Sequence, residues 1–208
     1  HFSYTGYWDQ HVFKESGFLH IDNHTEWKNG YEVHTGINLV TKGLQDPFEI
    51  YEGVVIPAGT YRNSEVQLVG MTDDSRWLSF SMRATFGGFY SGDRVYLRPS
   101  VFMRLGEKFV SELSWSQNDV DLPEGDFVTK IGLLRLAYSF TPKIALERLL
   151  QYNNVDDLLS TNLRFSWLRK ANTGLYVVFN DINGYSDYTG QQPDRSLIAK
   201  YTYMFDIL

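Results

Sequence analysis

Cysteine is absent from this chain of 208 residues, which removes any disulfide framework, thiolate nucleophile or Cys-ligated zinc or iron–sulfur site. A basic excess is also missing. Lys plus Arg number 19 against 25 Asp plus Glu, a formal net charge of −6, so the balance gives no electrostatic reason to bind nucleic acid. No apolar run approaches the roughly 18 residues that a membrane-spanning helix needs. The chain opens on His rather than Met with no secretory leader in front of it, which reads as a mature, trimmed or partial chain.

Aromatic residues, by contrast, are abundant: 14 Phe, 14 Tyr and 5 Trp, 16% of a chain whose mean hydropathy is −0.31. So much Phe, Tyr, Trp and Leu excludes disorder. A chain that is polar on average yet rich in aromatics fits strands that alternate between two unlike environments.

The period is two almost everywhere. In 31–40, Tyr31, Val33, Thr35, Ile37 and Leu39 share a face; in 76–86, Leu78, Phe80, Met82, Ala84 and Phe86 oppose Trp77, Ser79, Ser81, Arg83 and Thr85. The pattern predicts about twelve strands, near 1–8, 18–27, 31–40, 60–70, 76–86, 95–105, 109–116, 127–140, 144–152, 159–167, 173–181 and 195–208. Of these, 60–70 alternates weakly and reads as strand that is partly loop. Most exceed the five or six residues usual in soluble domains and suit the roughly 9–11 of a membrane-crossing strand. The connections alternate: short ones at 28–30, 71–75, 106–108, 141–143 and 168–172, long ones at 9–17, 41–59, 87–94, 117–126, 153–158 and 182–194. Outer-membrane barrels have this asymmetry, with short periplasmic turns and longer external loops.

Register supports the same reading. A Lys28-Asn29-Gly30 loop with a left-handed Gly pairs Trp27 with Tyr31, Thr25 with Val33 and Ile21 with Ile37. Loop 106–108 pairs Leu105 with Phe109 and Val101 with Leu113, and loop 168–172 pairs Trp167 with Thr173 and Phe165 with Leu175. A slip of one residue would exchange every face. The apolar face carries Trp and Tyr near strand ends, as an interfacial girdle would. The other face carries Arg83, Arg98, Arg104, Glu112, Arg164, Lys200, His20 and His24. That is too much charge for a packed core, and it suits a wet lumen. One residue objects: pairing across 141–143 puts Arg148 opposite Leu136 on the apolar face. The inverse arrangement, a soluble carbohydrate-active or lipocalin-like ligand-binding barrel with an apolar interior, is the alternative.

Several stretches in order carry a resemblance: WKNGY (27–31), DPFEIYEGVVIPAGTY (46–61), GGFYSGDR (87–94), LPEGDF (122–127), LLQYNN (149–154), STNLRFSWLRKANTGLYVVFND (160–181) and RSLIAKYTYMFDIL (195–208). Together they resemble the C-terminal β-barrel domain, of unknown function, of a Bacteroidota-type outer-membrane family. Its members usually carry an N-terminal carbohydrate-binding module of the family-nine type. The resemblance implies that residues 1–208 are a single barrel domain, the C-terminal part of a longer protein, in the outer membrane of a Gram-negative bacterium. It supplies no catalytic residues. The last strand keeps the alternating aromatics Tyr201, Tyr203 and Phe205 that the barrel-assembly machinery reads, although it closes on Ile207-Leu208 instead of an aromatic.

Site candidates follow from the register. His24 falls opposite His34, and Glu26 opposite Glu32, on the charged face; directly opposed Cβ atoms lie about 4.5–5.5 Å apart, within reach of a shared Zn²⁺ or Ca²⁺. His20 and His24 are four residues apart, near 13 Å along a strand, too far to share an ion. The row Arg83, Arg98, Arg104 and Arg164, with Glu112 and Lys200, could line a path for anionic or sugar solutes or, paired with Glu112, Glu147 and Asp206, plug the barrel. The acidic stretches Asp119–Asp126 and Asp181–Asp194 read as external loops with an incomplete Ca²⁺ ligand pattern. No G-x-S-x-G nucleophile motif occurs, and the Gly-rich stretches precede no helix. The expectation is therefore a transmembrane, antiparallel up-and-down β-barrel that is not an enzyme, has no resident organic cofactor, touches outer-membrane lipid and the assembly machinery, and handles a glycan or small solute.

Overall fold

A strand buried on neither side needs only that its backbone groups pair with neighbours, and long runs of period two let that pairing continue for many residues. The computed structural model describes residues 1–170, 173–184 and 194–204. Among them it is all-β, with fourteen strands: β1 Phe2–Trp8, β2 Lys14–Glu26, β3 Glu32–Leu44, β4 Phe48–Tyr51, β5 Val54–Ile56, β6 Gly59–Met71, β7 Leu78–Phe89, β8 Gly92–Leu105, β9 Phe109–Asp121, β10 Phe127–Thr141, β11 Ile144–Asn153, β12 Leu158–Lys170, β13 Thr173–Asn183 and β14 Asp194–Thr202. Twelve form one antiparallel meander in the order β1-β2-β3-β6-β7-β8-β9-β10-β11-β12-β13-β14, and β4-β5 pair separately. Among the described residues, no pairing joins β14 back to β1.

The hairpin at 27–31 forms as its sequence dictates. Trp27 and Tyr31 bond through their backbones at 2.9 Å, Gly30 sits at φ +79, and Thr25↔Val33 and Ile21↔Ile37 are partners. Leu136↔Arg148 is likewise observed. Other boundaries move. β12 runs on to Lys170, with a bulge between Leu168 and Lys170, so Trp167 pairs with Leu175 and Phe165 with Val177. The predicted partners were two residues away, and an even shift leaves every face unchanged. Segment 60–70 is strand throughout; Arg62 and Ser64 on its exposed side obscure the alternation.

The expected long loops shrink. β7 and β8 leave only Tyr90 and Ser91 between them, because Gly87 and Gly88 extend β7 instead of ending it. A ladder needs no side chain, and a Cβ at Gly88 would press on Asn63 Nδ2 at 2.7 Å. The connection 72–77, read as tight, is longer than that turn, so the alternation of short and long connections is imperfect. The 41–59 stretch is not plain loop but holds the β4-β5 hairpin.

By its internal contacts the chain forms two units, one of His1–Asp73, Phe80–Pro99 and Ser116–Thr129, the other of Asp74–Ser79, Ser100–Trp115 and Lys130–Leu208. The first contains a small apolar core of Val54, Ile56, Val120, Leu122 and Phe127, onto which the β4-β5 hairpin folds, with the Tyr51 ring stacked on Phe127 at 4.7 Å. Its sheet face is different. Ile21, Ile37, Leu39, Val66, Leu68 and Phe80 are exposed, while the polar Asn38, Glu65 and Thr85 are buried. The second unit repeats that inversion with Leu113, Ile131, Leu159 and Leu197 exposed and Ser114 buried. Phe205, Asp206, Ile207 and Leu208, cited above for assembly and lumen pairing, lie outside the described residues.

Candidate functional site

The polar face of β2, β3, β6 and β8 in the first unit gathers the chemistry. His24 and His34 are partners across β2 and β3, as are Glu26 and Glu32. The imidazole centroids are 3.8 Å apart, and both Nε2 atoms reach the same oxygen, Glu32 Oε2, at 3.2 and 3.3 Å. His24, Glu32 and His34 thus bring three ligand atoms within 4.8 Å of one another. Glu26 does not join this group. Each His can place its proton on Nε2 and donate to the carboxylate, so this trio is satisfied as it stands.

A second group lies one step along the same hairpin. His1 Nδ1 and His20 Nε2 approach Asp22 Oδ1 at 3.3 and 3.6 Å. His20 meets the buried Asn38 Oδ1 through Nδ1 at 2.6 Å. The separation of His20 from His24 agrees with the sequence expectation that they serve different groups.

Further along this face, Arg94 grips Glu65 through Nη2 at 2.5 Å and Nε at 2.7 Å. The guanidinium lies 4.6 Å from the Phe89 ring centre, and Asn63 Nδ2 donates to the Tyr90 carbonyl at 3.1 Å. These residues, with Phe18, line a cleft of about 560 Å³, a size that fits a small organic ligand. Burial pushes the Tyr90 phenol above its ordinary value; the neighbouring Tyr61 adds to that and Arg94 opposes it.

The predicted arginine row is less of a unit. Arg83 and Arg98 belong to the first unit, and Arg104, Glu112, Arg164 and Lys200 to the second. Arg104 lies over the Phe102 ring at 5.4 Å, Arg164 is the ladder partner of Glu147 and Val178, and Lys200 edges a cleft with Tyr176 and Thr173. Asp119 and Asp121 are strand residues of β9, not loop, and Asp119 accepts from Gln117 Nε2 at 3.0 Å. Most of the 181–194 stretch lies outside the described residues. Comparison with family models, curated proteins and solved structures finds no match at the level of significance applied.

Sequence periodicity therefore locates His24, His34 and Glu32 and puts Asp22 on the polar face beside His20, but it misses Glu65, Arg94 and the approach of His1 to Asp22. Glu65 falls in the weakly alternating β6 and Arg94 in a stretch read as loop. His1, just ahead of β1, reaches Asp22 only through the β1-β2 register, which is set across the connection between those strands.

Proposed function

We propose that this chain is wall from an outer-membrane β-barrel of a Gram-negative bacterium, a non-enzymatic envelope protein that binds or passes a glycan or small solute along its polar face. The observation carrying this reading is the inverted burial. Among the described residues many large apolar side chains are exposed, with Ile37 at 52% and Ile131 at 52% on the apolar face, while Glu65 and Asn38 on the polar face are each 4% exposed. Water penalises that arrangement and hydrocarbon rewards it. An apolar-cored soluble barrel requires the reverse.

Strand length agrees: β2, β3 and β6–β13 are each at least 10 residues long, enough to cross a bilayer at a tilt. The family resemblance points the same way. In lipid the edges β1 and β14 must be covered, by closing on each other or by strands of a longer protein. With the 27–31, 106–108 and 142–143 turns on the periplasmic side, the β4-β5 hairpin belongs to the external end. The cleft by Phe18, Phe89 and Tyr90 offers aromatic faces beside the charged Glu65 and Arg94, the mixture that sugar rings require.

The test is envelope fractionation of the chain expressed behind a signal peptide, with gel migration compared before and after boiling. Recovery in the outer membrane with heat-modifiable migration is the expected result. A monodisperse protein without detergent overturns the reading.

A further inference from the structure

We propose that His1, His20 and Asp22 form a binding site for a zinc-like divalent cation, held by two imidazole nitrogens and one carboxylate, with solvent completing the coordination.

Four observations converge on it. First, the donor atoms fit. The three ligand atoms lie within 4.8 Å of one another, and Asp22 Oδ1 is 3.3 Å from His1 Nδ1 and 3.6 Å from His20 Nε2. Ligands bonded at about 2.0–2.2 Å around a tetrahedral Zn²⁺ are separated by about 3.3–3.6 Å. Second, Asp22 Oδ1 is shielded from solvent yet accepts no hydrogen bond, although two imidazoles face it. The neighbouring Glu32 differs, since its Oε2 receives both of its histidines.

Third, His20 is oriented from behind. Asn38 is 4% exposed and its Oδ1 meets His20 Nδ1 at 2.6 Å. An amide oxygen can only accept, so Nδ1 carries a proton, and in the neutral ring Nε2 turns its lone pair toward Asp22. Two acceptors then confront each other in a shielded place, and a cation between them removes the conflict. An outer partner of this kind is what metal-bound histidines usually have. Fourth, Gly36 keeps the space open: a Cβ there would stand 3.1 Å from His20 Cε1 and 3.2 Å from Asp22 Cβ. The Phe18 ring stacks on His20 at 5.9 Å and fixes it from the other side. His1 is placed by the β1-β2 ladder, its carbonyl accepting from the Asp22 N–H at 3.0 Å.

The site does not depend on a membrane location. Its test is calorimetric titration with Zn²⁺, and absorption titration with Co²⁺, of the refolded chain in detergent. A His24→Ala/His34→Ala background silences the neighbouring trio. One ion per chain should bind in that background. Asp22→Asn and His20→Gln should each weaken binding at least 100-fold, and Asn38→Leu, which removes only the outer partner, about 10–100-fold. Folding of every variant is followed by circular dichroism, and His1→Ala serves where a β2 substitution prevents folding. Failure of the background protein to bind either ion below millimolar concentration, or undiminished binding by folded Asp22→Asn or His1→Ala, overturns the proposal.

Discussion

Arg94 on β8 holds Glu65 on β6 by two contacts, Nη2 at 2.5 Å and Nε at 2.7 Å, with the Glu65 side chain 4% exposed and that of Arg94 27% exposed. The asymmetry in burial sets the order of mutational effects. Arg94→Ala strands a buried carboxylate and should cost about 3–5 kcal/mol of stability. Glu65→Gln leaves a half-solvated guanidinium and should cost less. Replacing both, as Glu65→Gln with Arg94→Met, should recover part of the Arg94→Ala loss. Urea unfolding midpoints of the four proteins in micelles check the order.

The exposed face can be tested one residue at a time. Ile37 lies inside β3 with 52% of its surface exposed. In hydrocarbon Ile37→Arg should cost about 2–4 kcal/mol and reduce folding into vesicles. Val155→Arg, in the turn between β11 and β12, should stay within about 0.5 kcal/mol. Equal behaviour of the two variants, measured by folded fraction in lipid vesicles, would mean that the β3 face meets water.

Ile56, on the β5 strand of the β4-β5 hairpin, is fully buried in a cluster with Val54, Val120, Leu122 and Phe127. Ile56→Ala should destabilise that packing by about 2–5 kcal/mol. The loss should appear first as faster proteolysis within residues 45–58, with cleavage elsewhere little changed.

Tyr90 gives an alkaline dependence. Its phenol is held above the ordinary value by burial and by Tyr61, against the opposing pull of Arg94. An unfolded tyrosine ionises near pH 10. Above that pH the unfolded chain releases a proton that the folded chain retains, so stability falls as pH rises through the alkaline range. Below pH 10 the contribution is complete and flat. Tyr90→Phe should lower the steepness of the decline between pH 10 and 11 in unfolding midpoints, with no change in slope between pH 7 and 9.

The sequence by itself determined the strands and their two faces. Alternation in 31–40 and 76–86 fixes which side chains lie together, because a strand reverses its side chains at each residue and lets no other grouping form. The Lys28-Asn29-Gly30 loop also determined its own register, since Gly30 at φ +79 closes only one pairing of β2 with β3. From that register His24 must face His34. Where side chains vanish, as at Gly87 and Gly88, or where Arg62 and Ser64 occupy the exposed side, the periodic signal fades although the ladder continues. Only the tertiary structure decided that the 41–59 stretch folds back as a hairpin over Val120 and Phe127, and that Arg94 reaches Glu65. It likewise decided that His1 arrives beside Asp22. Those contacts join residues far apart in the chain, and their geometry depends on strand ends and turn lengths that local periodicity does not encode.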